Sequence, residues 1–139
     1  MSKAAEPEQE FDEARFQALL DLAGPATAHE LASRLDEDLT VVADALTQAE
    51  RAADRQQLRA QSHVLLAIAG TIGANRLYHL SKRLNGQVRT PDSAPVAELL
   101  GEIHVLLGRL ITRVRSARAQ LARSKMARSK MTRSQLAGP

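Results

Sequence analysis

The stretch RAQSHVLLAIAGTIGANRL, residues 59–77, decides how this chain folds, because it sets a single histidine among helix-forming residues, alanines and glycines. Residues 54–73, wound as a helix at about 100° per residue, place most of their large apolar side chains opposite His63. Four residues fall within about 40° of that opposite direction: Leu58, Leu65, Ile68 and Ile72. The pattern predicts an amphipathic helix with an N-cap at Asp54, an end near Gly73 and His63 at the centre of its outward face.

The neighbours of His63 on this face are mostly small. They are Arg59 and Leu66 on one side, Ala60 and Ala67 on the other, and Gly70 nearly in line two turns later. A glycine inside a helix costs about 1 kcal/mol relative to alanine, so Gly70 requires a reason. Either the backbone of another protein approaches this face and His63 is functional, or a helix of the same chain packs there and His63 is a boundary residue. The helical pattern leaves both interpretations open.

Amphipathic segments also precede this helix. A short one over residues 11–22 is closed by the Gly24-Pro25 pair. Thr27 and Glu30 then have the spacing of a capping box, which predicts the start of a longer helix. Apolar residues at three- and four-residue spacing continue that helix to about Ala52.

Two more helical segments follow. Residues 74–85 form one, ending at the Asn85-Gly86 pair, a common helix terminator. After a loop over 87–95, the strongest apolar stripe of the chain runs from Val96 to Val114. No segment shows the alternation typical of a strand. We therefore expect an all-α protein, an antiparallel four-helix bundle over residues 11–118 with a short N-terminal helix.

Composition excludes several classes of protein. Apolar residues make up 44% of the chain and only 2% are aromatic, so the core must be aliphatic. The absence of cysteine excludes disulfides and thiolate metal sites. Residues 1–10, expected to be disordered, contain no apolar stretch of a signal peptide, and no apolar run reaches the roughly 20 residues that span a bilayer. We expect a soluble, cytoplasmic protein.

The positive charge is concentrated at the C-terminus. From Gly108 onward there are nine Arg or Lys and no acid, whereas the preceding 107 residues contain ten basic and sixteen acidic residues, a net charge of −6. The last residues repeat every five positions as RSKMA, RSKMT and RSQLA. On a helix that step turns by about 140° net, so it forms no stripe. A disordered, basic tail over residues 119–139 is the expected structure.

The stretch SHVLLAIAGTIGANRL resembles the core motif of histidine-containing phosphotransfer (HPt) domains, A-H-x-L-K-G-S/A-A-x-x-x-G-A-x-x-L. Six residues match in register: His63, Leu65, Ala69, Gly73, Ala74 and Leu77. The resemblance extends over about residues 27–115 in architecture and is specific over residues 59–77. It implies a four-helix bundle of HPt type. Two of the departures from the motif matter for function: the motif lysine is Leu66 here, and the glycine that follows it is Ala67.

The resemblance also implies a function. His63 would accept a phosphoryl group and relay it between receiver-domain aspartates of a two-component phosphorelay. The chain would be a phosphoryl carrier without independent catalytic activity, and the partner receiver would supply Mg²⁺. Its partners would be response-regulator receivers, histidine kinases or both, contacted by a monomer through Arg59, Ala60, Leu66, Ala67 and Gly70. Arg59, one turn before His63, is the nearest replacement for the missing lysine.

Two other functions are compatible with the sequence. An HPt-like module that is never phosphorylated could regulate a receiver or kinase by docking, and Leu66 favours this alternative. The basic tail could bind nucleic acid weakly and without sequence preference, since no aromatic residue interleaves its cations. His29, His79 and His104 fit structural or surface roles better, and no histidine pair has metal-ligand spacing, so no metal or other cofactor is predicted.

Overall fold

The computed structural model describes residues 10–92 and 94–136, with side chains described as far as Lys130. These residues form five α-helices and no strand, which confirms the all-α prediction. The helices are α1 (Glu13–Ala23), α2 (Pro25–Arg51), α3 (Arg55–Ile72), α4 (Asn75–Gln87) and α5 (Ala94–Leu136). None of them is long and apolar enough to cross a membrane.

One aliphatic core lies between α2, α3, α4 and α5. Each of these helices packs against two of the others, α2 and α4 against both α3 and α5, while α1 packs on α2 and α3. The largest fully buried side chains come from all five helices: Phe16, Leu39, Val42, Leu46, Leu65, Ile72, Leu80, Leu84, Leu100, Ile103, Leu107 and Val114. The apolar stripes of the sequence therefore face one another, and burial of their side chains is the main force that holds the helices together.

Two predicted helix boundaries are confirmed and two are corrected. Asp54 caps α3 by accepting a hydrogen bond from the Gln57 N–H, and Gly73 ends that helix in the left-handed conformation. The Thr27 capping box is wrong, because α2 already begins at Pro25 with Gly24 as its N-cap. Proline suits this first position because its φ is preset and a first-turn N–H needs no helical partner. Helix α4 also passes the Asn85-Gly86 pair and ends at Gln87.

The turn between α3 and α4 also holds the start of α1. The Gly73 carbonyl accepts a hydrogen bond of 2.8 Å from the Asp12 N–H, and the Arg76 N–H donates to the Glu10 carbonyl. Gly73 has φ +83°, and a Cβ built on it would lie 3.1 Å from the Asp12 Cβ and 3.3 Å from the Arg15 Cβ. Only glycine meets both the backbone and the packing requirement at this junction.

An ion pair joins α1 to α5. Arg113 donates from Nε and Nη2 to the two carboxylate oxygens of Glu13 at 2.6 and 2.7 Å, and its guanidinium lies over the buried Phe16 ring. The Arg113 hydrogen bonds lower the pKa of Glu13 below its ordinary value of 4.5, against the opposing effect of partial burial. The stabilisation from this pair is therefore present above pH 4.5 and is lost as the pH falls through the lowered pKa.

We expect Glu13→Gln to lower the melting temperature at neutral pH and to have progressively less effect as the pH falls below 4.5 through the lowered pKa of Glu13, because protonation then removes the carboxylate charge from the wild type as well. Thermal melts of the wild type and the variant from about pH 7 to about pH 3 check this expectation. Glu30→Gln, on the exposed surface of α2, serves as the control. If Glu13→Gln lowered the melting temperature by the same amount at every pH, the stabilisation would not come from the ion pair with Arg113.

Helix α5 is longer than the sequence predicts. The expected disordered tail over 119–139 is instead helical to Leu136, and residues 137–139, like residues 1–9, lie outside the described part. Alanine, leucine, methionine, arginine, lysine and glutamine, which make up most of this segment, are strong helix formers, which explains its continuation. Near the start of the segment, Arg115 and Arg118 each donate a 2.9 Å hydrogen bond to the buried carboxylate of Asp36, so α5 is fixed to α2 there.

Candidate functional site

His63 lies in the middle of α3 with its side chain exposed to solvent. The opposite side of the helix is buried, with Leu58 4% exposed and Leu65 and Ile72 fully covered. The predicted outward orientation of the imidazole is therefore confirmed. It follows from the hydrophobic period of α3, because burying the apolar stripe leaves His63 on the solvent side.

The imidazole lies in an open surface depression of about 590 Å³, which we call the His63 depression. Its described lining residues come from α3, from the end of α4 and from the segment that follows α4. They are Gln56, Arg59, Ala60, His63, Asn85 and Arg89. Two of these side chains are cationic and none is acidic, so the depression favours an anionic group beside the imidazole.

Asn85 fixes the α4 side of the depression to α3. Its side-chain amide donates to the Arg59 carbonyl at 3.2 Å and to the Ser62 hydroxyl at 3.1 Å. The buried Ser62 hydroxyl in turn donates to the same Arg59 carbonyl at 2.8 Å. These bonds satisfy polar groups at the contact between the two helices and hold α4 next to the backbone of the His63 helix.

Arg55 fixes the segment that carries Arg89. Its guanidinium donates to the carbonyls of Val88 at 2.9 Å, Pro91 at 3.2 Å and Thr90. One side chain in the first turn of α3 thus binds three carbonyls of the α4–α5 connection. The rigid, planar guanidinium has enough donors for this arrangement, whereas a lysine at the same position does not have the fork geometry. Arg89 is held at the rim of the depression as a result.

The structure divides the predicted contact residues into two groups. Arg59, Ala60 and Ala67 are exposed on the same face as His63, whereas Leu66 and Gly70 are half-buried. A Cβ built on Gly70 would lie 3.3 Å from Cδ1 of Tyr78, so this glycine makes room for the tyrosine of α4. The two interpretations of the small-residue face therefore apply to different parts of it. Its Gly70 side receives a helix of the same chain, and its Ala60 and Ala67 side is open.

Sequence reasoning missed four residues at this face. Gln56 lies two turns before His63 and could have been found from the helical period. Val64 borders the open side with 43% of its surface exposed. Asn85 and Arg89 had no local signal, because they join the site only through packing of α4 on α3 and through the carbonyl contacts of Arg55.

The other histidines have different surroundings. His29 is half-buried on α2, and His104 on α5 lies 3.9 Å from the Glu50 carboxylate. His79 lines a larger depression between α4 and α5, of about 880 Å³, together with Glu10, Glu102 and Arg76, whose guanidinium is paired with Glu102 at 3.1 Å. Acidic neighbours oppose the approach of an anion, so the cationic His63 depression differs from that of His79 in its chemistry.

The arrangement at His63 is suited to nucleophilic chemistry on an anionic electrophile. An exposed imidazole can attack through a ring nitrogen, and the guanidinium groups beside it can offset negative charge on the group attacked. Among the described residues no group of three or more histidine, aspartate or glutamate side chains is placed to hold a metal ion. The described residues that line the His63 depression include one nucleophile, His63, and two cations, Arg59 and Arg89.

Comparisons of the chain with models of protein families, with curated proteins and with solved structures found no match. The function is accordingly inferred from the chemistry of the His63 depression, together with the motif that surrounds His63 in the sequence.

Proposed function

We propose that this chain is a histidine phosphotransfer protein that accepts a phosphoryl group on His63 and passes it to a receiver aspartate. In this proposal α2, α3, α4 and α5 form an antiparallel four-helix bundle of HPt type. The observation that carries the proposal is the exposed imidazole of His63 in a depression that two arginines also line and whose described lining residues include no acid. Phosphoryl groups are dianionic or nearly so, and arginine is well suited to bind them.

The reaction needs only one nucleophile from this chain. A lone pair of the neutral imidazole attacks the phosphorus of an aspartyl phosphate on the partner, an N–P bond forms, and the P–O bond to aspartate breaks. The aspartate carboxylate leaves with the bonding electrons. Transfer to a second receiver reverses these events, and the receiver supplies Mg²⁺. The attacking nitrogen of a neutral imidazole carries no proton, so no additional base is required.

The proposed partners are response-regulator receivers, histidine kinases or both. In this proposal the chain is a cytoplasmic monomer that binds them. The contact surface consists of the open part of the His63 face: Arg59, Ala60, His63, Val64 and Ala67. Small side chains there allow a partner backbone to come close to the imidazole. Leu66 and Gly70, which the motif resemblance places in the same surface, are half-covered by the chain itself and contribute at the edge.

The proposal is tested by phosphorylation of the full chain. Receiver domains phosphorylated on aspartate, and phosphoramidate as a donor that needs no partner protein, are mixed with the protein. We expect an acid-labile, alkali-stable label that mass spectrometry locates on His63. Label on a different residue, or no label from either kind of donor, would contradict the proposal.

A docking module that is never phosphorylated is the alternative, favoured by Leu66 in place of the motif lysine. It predicts that a receiver binds the wild type and a His63→Gln variant with equal affinity while neither protein acquires label. Isothermal titration of the same receivers therefore separates this alternative from the relay.

Arg89 is expected to contribute to acceptance of the phosphoryl group, because it is the cation that the α4–α5 connection brings to the depression. We expect Arg89→Gln to slow labelling of His63 by phosphoramidate about 10-fold, equivalent to about 1.4 kcal/mol of transition-state stabilisation. Arg83→Gln removes an exposed arginine of α4 that is not among the described lining residues, so it should leave the rate unchanged. Equal rates in the two variants would show that Arg89 has no such role.

A further inference from the structure

The C-terminal part of α5, residues 119–136, extends beyond the buried core, and we call it the α5 extension. Among the residues of α5 as far as Lys130, Ala117 is the last that is buried, Leu121 is half-buried, and residues 122–130 are all exposed. At about 1.5 Å per residue the extension is about 27 Å long. It continues a helix that Arg115 and Arg118 fix to Asp36, so its direction is set by the bundle.

The α5 extension is cationic on all sides. It carries five basic residues and no acid: Arg123, Lys125, Arg128, Lys130 and Arg133. At about 100° per residue, positions 123, 125, 128 and 130 point about 0°, 200°, 140° and 340° around the helix axis. Arg115 and Arg118, which come earlier, are already engaged with Asp36. The charges of the extension therefore surround the helix and do not form a single stripe.

Positive charge on all sides of the α5 extension excludes some classes of binding partner and favours others. Binding in a lipid surface requires a continuous apolar face, but Met126 is 67% exposed among polar residues and the five-residue repeat turns by about 140° at each step. Stacking on single-stranded bases requires aromatic side chains, and the extension has none. A polyanion that surrounds a helix on several sides matches charges that point in several directions.

Duplex DNA is such a polyanion. The major groove of B-form DNA, about 12 Å wide, admits an α-helix of about 10–12 Å diameter between two phosphate backbones. The deep, narrow major groove of A-form RNA does not admit one. We propose that the α5 extension binds the phosphates of duplex DNA, without reading base sequence. The 118 residues that precede the extension contain fourteen basic and sixteen acidic residues, a net charge of −2, so the net positive charge that attracts DNA lies in the extension.

The proposal is tested with the full chain and fluorescently labelled DNA duplexes of two unrelated sequences. If all five cations contact phosphates, the logarithm of the binding constant falls with the logarithm of salt concentration with a slope of about −4.5. Affinity should then fall about 500-fold between about 50 and about 200 mM salt, equally for both sequences. A slope near zero, or a strong preference for one duplex, would overturn the proposal.

A charge-matched pair of variants locates the contact. The first replaces the five cations of the extension by glutamine, which preserves helix propensity. The second replaces five exposed cations of the bundle by glutamine: Arg15, Arg34, Arg51, Lys82 and Arg83. We expect at least about a 30-fold loss of DNA affinity in the first and less than about a threefold change in the second. Circular dichroism checks that both variants keep their helices.

Two other outcomes would assign the extension to a different partner and overturn the proposal. One is binding to vesicles containing anionic lipid with no binding to DNA. The other is self-association of the wild type, seen by sedimentation and lost in the first variant, which would mean that the extension binds the acidic bundle of a second copy. Equal DNA affinity of the two charge variants would also overturn the proposal.

Discussion

Replacing His63 by glutamine is expected to abolish labelling of the protein by phosphorylated receivers and by phosphoramidate. The glutamine amide has no nucleophilic lone pair comparable with that of the imidazole, so no N–P bond can form. The substitution should leave the bundle intact, because His63 is exposed and glutamine is a good helix former. Acid-labile label measured in the wild type and in the variant checks the prediction.

The matched control is His79→Gln, which removes another exposed histidine, from α4. Its depression includes Glu10 and Glu102, so we expect no label there and full labelling of His63 in this variant. Melting temperatures of both variants exclude unfolding as the cause of any loss. Label that persisted in His63→Gln would show that another residue is the acceptor.

Replacing Gly73 by alanine is expected to lower the free energy of unfolding by about 2–5 kcal/mol. Holding alanine in the left-handed conformation costs about 1–2 kcal/mol, and forcing a methyl group into a packed contact costs about 1–3 kcal/mol. The contact is made with Asp12 and Arg15, whose atoms lie 3.1–3.3 Å from the new Cβ and belong to the start of α1. Urea denaturation of the wild type and the variant measures the difference.

Gly86→Ala is the control for the glycine substitution. Gly86 lies within α4, and a Cβ built on it meets nothing within 4 Å. Alanine there should stabilise the protein by about 0.5–1 kcal/mol, because it restricts the unfolded chain and favours the helix. A Gly73→Ala variant as stable as the wild type would mean that the turn between α3 and α4 adjusts its backbone at little cost.

The parts of the fold that sequence reasoning predicted correctly are those that depend on neighbouring residues. The outward position of His63 follows from the spacing of Leu58, Leu65 and Ile72, and the start of α3 follows from Asp54. The predicted start of α2 at the Thr27 capping box is wrong. Pro25 and Thr27 both signal a helix start, and the helix begins at Pro25, whose preset φ suits the first turn. The prediction of a disordered tail is likewise wrong, because it gives more weight to the charge of the final residues than to their helix propensity.

The parts of the candidate site that could not be predicted depend on contacts between distant residues. Arg89 lies 26 positions after His63, and its place at the rim follows from the Arg55 hydrogen bonds to Val88, Thr90 and Pro91. Gly70 shows the opposite limitation. The sequence shows that a small residue lies in the middle of α3, but only the packing of α4 on α3 shows that Tyr78 occupies the space beside it.

The place of Tyr78 over Gly70 has a spectroscopic consequence. The chain has one tyrosine and no tryptophan, so all of its tyrosine emission comes from this ring. The ring is half-buried where α4 meets the His63 helix, with the imidazole of His79 edge-on to it at 5.3 Å between centroids. A change in quantum yield or in quenching by iodide would therefore report movement at the α3–α4 contact without any attached dye. Tyr78 is therefore an intrinsic fluorescent probe close to the His63 face that is proposed to bind partners.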